Sequence, residues 1–238
     1  MYDTLRRTDL IAPKKKQLLL GILCWIMFDV GFALIFKESF DMETVRGIFC
    51  CQIAVFCASF ILTALCFMPF LKESMGQFPC MALFPEALKG LGFYAILSYA
   101  ASYTVAILNI LVPTAQENLN QAAIDSMLFY APVPMILCSC LFVPITEECL
   151  VRGMIFAPLC RKKPWVAYLV SSTVFAAIHV IASIGQISAM NAVQNVILYL
   201  PSGLVLGWVY QRTRTIMASI MLHGMINTVS VILTFAMY

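Results

Sequence analysis

An all-helical integral membrane protein is the fold class that this sequence predicts, and three features point to it. Hydrophobic residues make up 62% of the 238 and charged residues only 11%, against roughly 45–50% and about 25% in soluble domains. So few charges could not cover a soluble surface, and disorder requires the opposite composition. Seven segments reach or approach the roughly 20 apolar residues of a spanning helix: about 17–36, 47–71, 91–113, 133–159, 165–184, 195–210 and 216–236. The basic residues also fall into alternate connections between them, as the positive-inside rule requires.

Taken in order, the first segment follows Lys14, Lys15 and Lys16 and superficially looks like a signal peptide. Its length, its Asp29 and its lack of a small-residue cleavage site make it a retained anchor instead. The second and third have general membrane character. Between them, residues 77–88 carry Phe78, Met81, Leu83 and Phe84 beside Glu86 and Lys89. That stretch reads as an interfacial helix or re-entrant turn, giving seven to eight elements in all. The sixth segment is short unless it extends into the preceding stretch. Pro132, Pro134, Pro144 and Pro201 are helix breakers that a membrane bundle tolerates.

A cytoplasmic amino terminus places Arg6, Arg7, Lys14, Lys15, Lys16, Lys72, Lys89, Arg161, Lys162, Lys163, Arg212 and Arg214 inside. Only Lys37 and Arg46 are left outside, with Arg152 inside an apolar segment. This bias predicts an odd number of crossings and a multi-pass protein, expected in a cell membrane. No internal repeat or soluble domain interrupts the chain, so one domain, 1–238, is expected. Nucleic acid is excluded as a partner by the lack of a basic stripe interleaved with aromatics. The ten cysteines lie in apolar runs without metal or disulfide spacing and read as small buried hydrophobes.

Ionisable groups at membrane depth cost about 2.5–3.5 kcal/mol each on insertion scales and face a cavity or a partner. Here most of them gather in the last hundred residues: Glu147, Glu148 and Arg152 in the fourth segment, His179 in the fifth, His223 and Asn227 in the seventh. These two histidines are the only ones in the sequence. On a helix Glu148 and Arg152, four apart, share a face and can pair, while Glu147 points about 100° away. His223 and Asn227 share the same spacing and can converge. Glu147 lies 16 residues before Lys163 and His179 lies 16 after it. A hairpin turning at 161–163 therefore brings both to one depth, roughly 20–24 Å from the turn. His223 is ten residues past Thr213, roughly 15 Å in, a difference left to tilt or a break at Pro144. Each residue alone also has a structural reading: a stabilising ion pair, a hydrogen-bonded histidine, an interhelical amide.

Together, Glu-Glu-x-x-x-Arg, Phe-x-x-x-His and His-x-x-x-Asn resemble the motifs of the CPBP intramembrane endopeptidases. These are the type II CAAX prenyl proteases and bacteriocin-processing or self-immunity proteins, also called the Abi family. Pro144 to Gly153 is similar to that family's Pro-x-x-Glu-Glu-x-x-Phe-Arg-Gly, with Val151 replacing the aromatic. Gly203 to Gly207, Tyr210, Arg212, Thr213 and Ser219 to His223 resemble its last block, and Asn120-Gln121 also fits. The resemblance covers roughly 117–235. It implies a catalytic core at 117–238 behind variable helices at 1–116, and a polar, water-accessible cavity inside the bundle.

By that resemblance Glu147 and His179 activate a water, His223 and Asn227 stabilise the oxyanion, and Glu148 and Arg152 support them. The substrate it implies is a hydrophobic, prenylated (CAAX-like) or small precursor peptide drawn from among membrane lipids. No cofactor is required. Zinc on Glu147, His179 and His223 is the other possibility, disfavoured because the pattern is not His-Glu-x-x-His and three separate helices would supply the ligands. Cys149 faces away from Glu148 and is discounted as a nucleophile. A non-catalytic immunity or regulatory protein binding a peptide or membrane partner is the alternative function. A proton-coupled carrier is disfavoured by the missing repeat.

Overall fold

A computed structural model describes residues 10–76, 80–114 and 118–237, with residues 80 and 81 as backbone only. Arg6, Arg7, Phe78 and the 117 boundary fall outside them. The chain forms α1 Lys15–Ser39, α2 Val45–Met75, α3 Cys80–Leu111, α4 Leu119–Tyr130, α5 Pro132–Cys160, α6 Pro164–Ser183, α7 Ala189–Thr213 and α8 Ile216–Met237. Seven are long and apolar enough to cross a bilayer, and α4, with 12 residues, is not. The all-helical polytopic bundle is the expected fold. Large apolar side chains such as Leu65, Ile96, Ile110 and Leu233 face outward, as they do where lipid replaces water.

Local chemistry sets the helix starts. The Thr44 hydroxyl, the Asn118 amide oxygen and the Ser188 hydroxyl accept from the backbone N–H of Gly47, Gln121 and Asn191 at 3.0–3.1 Å. They satisfy donors that an N-terminal turn leaves free. Pro132 and Pro164 open α5 and α6 at positions whose N–H has no intrahelical partner.

Two boundaries differ from the hydropathy pattern. Residues 80–88 are not a separate interfacial element but the first turns of α3, with 77–79 outside the described residues. The charges that interrupt the apolar run are paired at the helix end. Glu86 accepts from Lys89 at 2.7 Å and from the Arg212 guanidinium of α7. The sixth span extends back to Ala189 because Asn191, Gln194 and Asn195 are buried in the bundle rather than set against lipid. The nine described cysteines outside residue 80 are all free thiols.

Most of the expected basic connections meet at one end of the bundle. There the segment before α1 is tied across the α5–α6 and α7–α8 turns. Arg161 donates to the Leu10 carbonyl (2.7 Å), Ile11 N–H to the Arg214 carbonyl (3.1 Å), and the Tyr210 hydroxyl to the Ile11 carbonyl. Leu10 and Ile11 are buried there, whereas only 11% of the apolar window of α1 is buried.

Three stretches wind as π-helix, with i→i+5 hydrogen bonds: Met27–Gly31 in α1, Cys138–Phe142 and Glu148–Phe156 in α5. Such bulges recur at functional sites. Wider turns also pack more residues into a given axial length. The run from Glu147 to the Arg161 turn is thereby shortened, which moves Glu147 toward the level of His223 without a break at Pro144.

Small residues allow the close approach on which the interior depends. A Cβ on Gly203 of α7 would lie 2.7 Å from the Ser172 Cα of α6, and one on Gly224 of α8 would lie 2.8 Å from the Cys140 carbonyl oxygen of α5. In a bilayer, packing of this kind replaces the hydrophobic drive that holds soluble helices together. Gly203→Val should therefore force α6 and α7 apart at a cost of about 1–3 kcal/mol, read as a lowered thermal-unfolding midpoint in detergent; an unchanged midpoint would contradict the contact.

Candidate active site

The fourth, fifth and seventh expected spans, α5, α6 and α8, deliver all six sequence-identified polar residues to one place. Glu148 and Arg152 sit behind its wall, with no exposed surface. Arg152 Nε lies 3.3 Å from Glu148 Oε2, and its Nη2 donates to the Gly203 carbonyl at 3.2 Å. The guanidinium also lies over the Phe175 ring, 4.4 Å from its centre. Glu148 accepts from the Ser219 hydroxyl at 2.5 Å, and its other oxygen lies 3.0 Å from His223 Nδ1. One carboxylate thus takes hydrogen bonds from two side chains of α8 and an ion pair from Arg152 of its own helix, and Arg152 extends the grip to α7.

Glu147, on the next residue, turns the other way and lines a cavity of about 370 Å³ with His179, His223 and Asn227. Its Oε2 lies 3.8 Å from the Nε2 of both imidazoles, one from each flanking helix. That is beyond hydrogen-bond reach, and this buried oxygen has no hydrogen-bond partner. Gaps of this size between polar atoms suit a bridging water.

The rings are oriented from behind. His179 Nδ1 lies 2.8 Å from the Phe175 carbonyl. A carbonyl only accepts, so Nδ1 carries the proton and Nε2 faces the cavity. The His223 Nδ1–H is held likewise by Glu148. Phe175 packs between the two rings, its centre 4.7 Å from that of His179 and 5.6 Å from that of His223. Asn227 donates one amide hydrogen to the Ser139 carbonyl at 2.7 Å, which leaves the other toward the cavity.

Around a tetrahedral zinc with bonds near 2.1 Å, neighbouring ligand atoms stand about 3.4 Å apart. The two 3.8 Å separations at Glu147 are wider, and among the described residues no three His, Cys, Asp or Glu side chains form a metal-ligand group.

Three contributions had no sequence signal strong enough to find them. Tyr199 of α7 stacks on His179 with ring centres 4.5 Å apart, and its hydroxyl accepts from Asn120 at 3.0 Å; one tyrosine among nine carries no mark in a sequence. Ser139 acts through its backbone. Helix α4, in a stretch without span-length hydropathy, supplies Ile124 and Met127 to the cavity wall, beside the Asn120 and Gln121 that the family resemblance includes. Asp29 lines the same cavity from the π-turn of α1.

Residues 129–229, which contain all six motif residues, match the family described as Type II CAAX prenyl endopeptidase Rce1-like. Among curated proteins, the chain is similar to the "Putative membrane peptidase YdiL" of Bacillus subtilis, 31% identical over 119 residues, half of this chain and 44% of that protein. It is also similar to the UPF0177 protein YxdF of Lactococcus lactis subsp. lactis, 26% identical over 162 residues, 66% of this chain and 80% of that protein. The chain thus spans less than half of the Bacillus protein. No solved structure matches it significantly.

Because Glu148 and Arg152 are both fully buried, removing one leaves an unpaired charge in the interior. Arg152→Met should cost about 3–5 kcal/mol, and adding Glu148→Gln should recover much of that loss. Unfolding in detergent measures both, and equal stabilities for wild type and Arg152→Met would refute the pairing.

Proposed function

We propose, from the match of residues 129–229 to the type II CAAX prenyl endopeptidase Rce1-like family, that the chain is an intramembrane endopeptidase that hydrolyses a peptide bond in a hydrophobic or lipid-modified peptide. The observation that carries this reading is the unpartnered Glu147 Oε2, buried and 3.8 Å from two inward-facing imidazole nitrogens.

A water in that gap donates to Glu147 and to Nε2 of His179, which aims its lone pair at the substrate carbonyl. As the water oxygen bonds to the carbonyl carbon, its proton passes to Glu147. Negative charge then gathers on the former carbonyl oxygen. His223, protonated at Nε2, and the free Asn227 amide hydrogen donate to it from fixed positions, so little reorganisation is needed when charge develops. Collapse breaks the C–N bond, and Glu147 returns its proton to the leaving amine. Glu148 and Arg152 position His223 and the helix. The reaction requires no metal in this scheme, and neither a serine nor a cysteine nucleophile.

The proposed substrate enters from the lipid, which fits a cavity whose wall is largely apolar. The amino terminus is assigned to the cytoplasmic face of a cell membrane, in keeping with the basic end of the bundle.

Glu147→Ala and His179→Ala should each lower cleavage of an apolar reporter peptide by at least about 10²-fold while keeping the wild-type unfolding midpoint. A folded Glu147→Ala protein with full activity ends the reading. Asn227→Ala should lower kcat by about 10²–10³ with little change in KM. Protein purified without chelator should hold far less than one equivalent of zinc by elemental analysis. One equivalent, lost in His179→Ala, would overturn the metal-free scheme.

A further inference from the structure

The cavity wall has more acidic than basic side chains. It includes two carboxyl groups, Asp29 and Glu147, and among the described residues neither a lysine nor an arginine lines it. Asp29 reaches it from α1, outside the family-matched residues, through the π-turn at Met27–Gly31. Asp29 and Glu147 line the same cavity, so two groups of like charge face it. Among the described lining residues only His179 and His223 can carry a positive charge; His223, as the imidazolium that its oxyanion role requires, offsets one carboxylate and leaves the other without a cationic partner on the wall.

Two carboxylates on one cavity wall repel each other, and a cation placed between them relieves both. A carboxylate brought to the same place would add a third negative charge and meet no guanidinium or ammonium. We propose that Asp29 selects substrates in which a cationic group, a lysine or arginine side chain, lies beside the cleaved bond of an otherwise apolar peptide. The inference rests on the peptidase reading for the place of the bond.

The test uses full-length protein in phosphatidylcholine nanodiscs, which present no net lipid charge to the peptides. Three fluorescent apolar peptides differ at one position only: lysine, norleucine or glutamate. Binding should rank lysine over norleucine over glutamate, with about tenfold between the first two, the order of one partly screened charge pair. In Asp29→Asn the lysine preference should fall toward unity, and in Asp29→Lys the glutamate peptide should overtake the lysine peptide. Equal affinities of the wild type for all three peptides, or a lysine preference that survives Asp29→Lys, overturn the proposal. Cleavage measured in parallel separates the two claims: charge-selective binding without hydrolysis sinks the peptidase reading and leaves the role of Asp29 standing.

Discussion

Glu148 is the residue on which the interior depends. Its two oxygens are taken up by Arg152, Ser219 and His223, and burying such a carboxylate would be prohibitive without those donors. Each partner is fixed in turn by something else. Arg152 leans on the Gly203 carbonyl and the Phe175 ring, and His223 turns its far nitrogen toward Glu147. Two adjacent glutamates therefore do unlike things: one is consumed in holding three helices together, and the other keeps an oxygen free because its neighbour has taken the donors.

How much of this could be read beforehand depended on the kind of signal. Seven spans followed from hydropathy, because lipid-facing helices must be apolar whatever they pack against. The four-residue spacing of Glu148 and Arg152 located their pairing, and the count from the 161–163 turn placed Glu147 level with His179. Hydropathy failed where polarity was turned inward or paired off. Asn191, Gln194 and Asn195 made α7 look short, and Glu86 with Lys89 made the start of α3 look like a surface helix. The stacking of Tyr199, the use of the Ser139 carbonyl and the π winding of α5 are matters of tertiary packing and backbone geometry. No residue type announces them.

The matched half of the chain does not enclose the cavity by itself. Gln52 and Val55 of α2, Asp29 of α1 and the inner face of α4 complete a wall that begins with Glu147 and the histidines. Chemistry and enclosure are thus divided between the two parts of the chain. Helices α1, α2 and α4 can change what the cavity admits while leaving the hydrogen-bonded framework behind Glu148 untouched.

The ties at Leu10 and Ile11 take on another meaning in this light. Helix α1 is held at one tip by Arg161, Arg214 and Tyr210 and along its inner side by Gly21 and Cys24, which pack on α2 and α5. The stretch of wall to which Asp29 belongs is therefore set at two levels, and a change at the Leu10 mooring would reach the cavity only through that packed side.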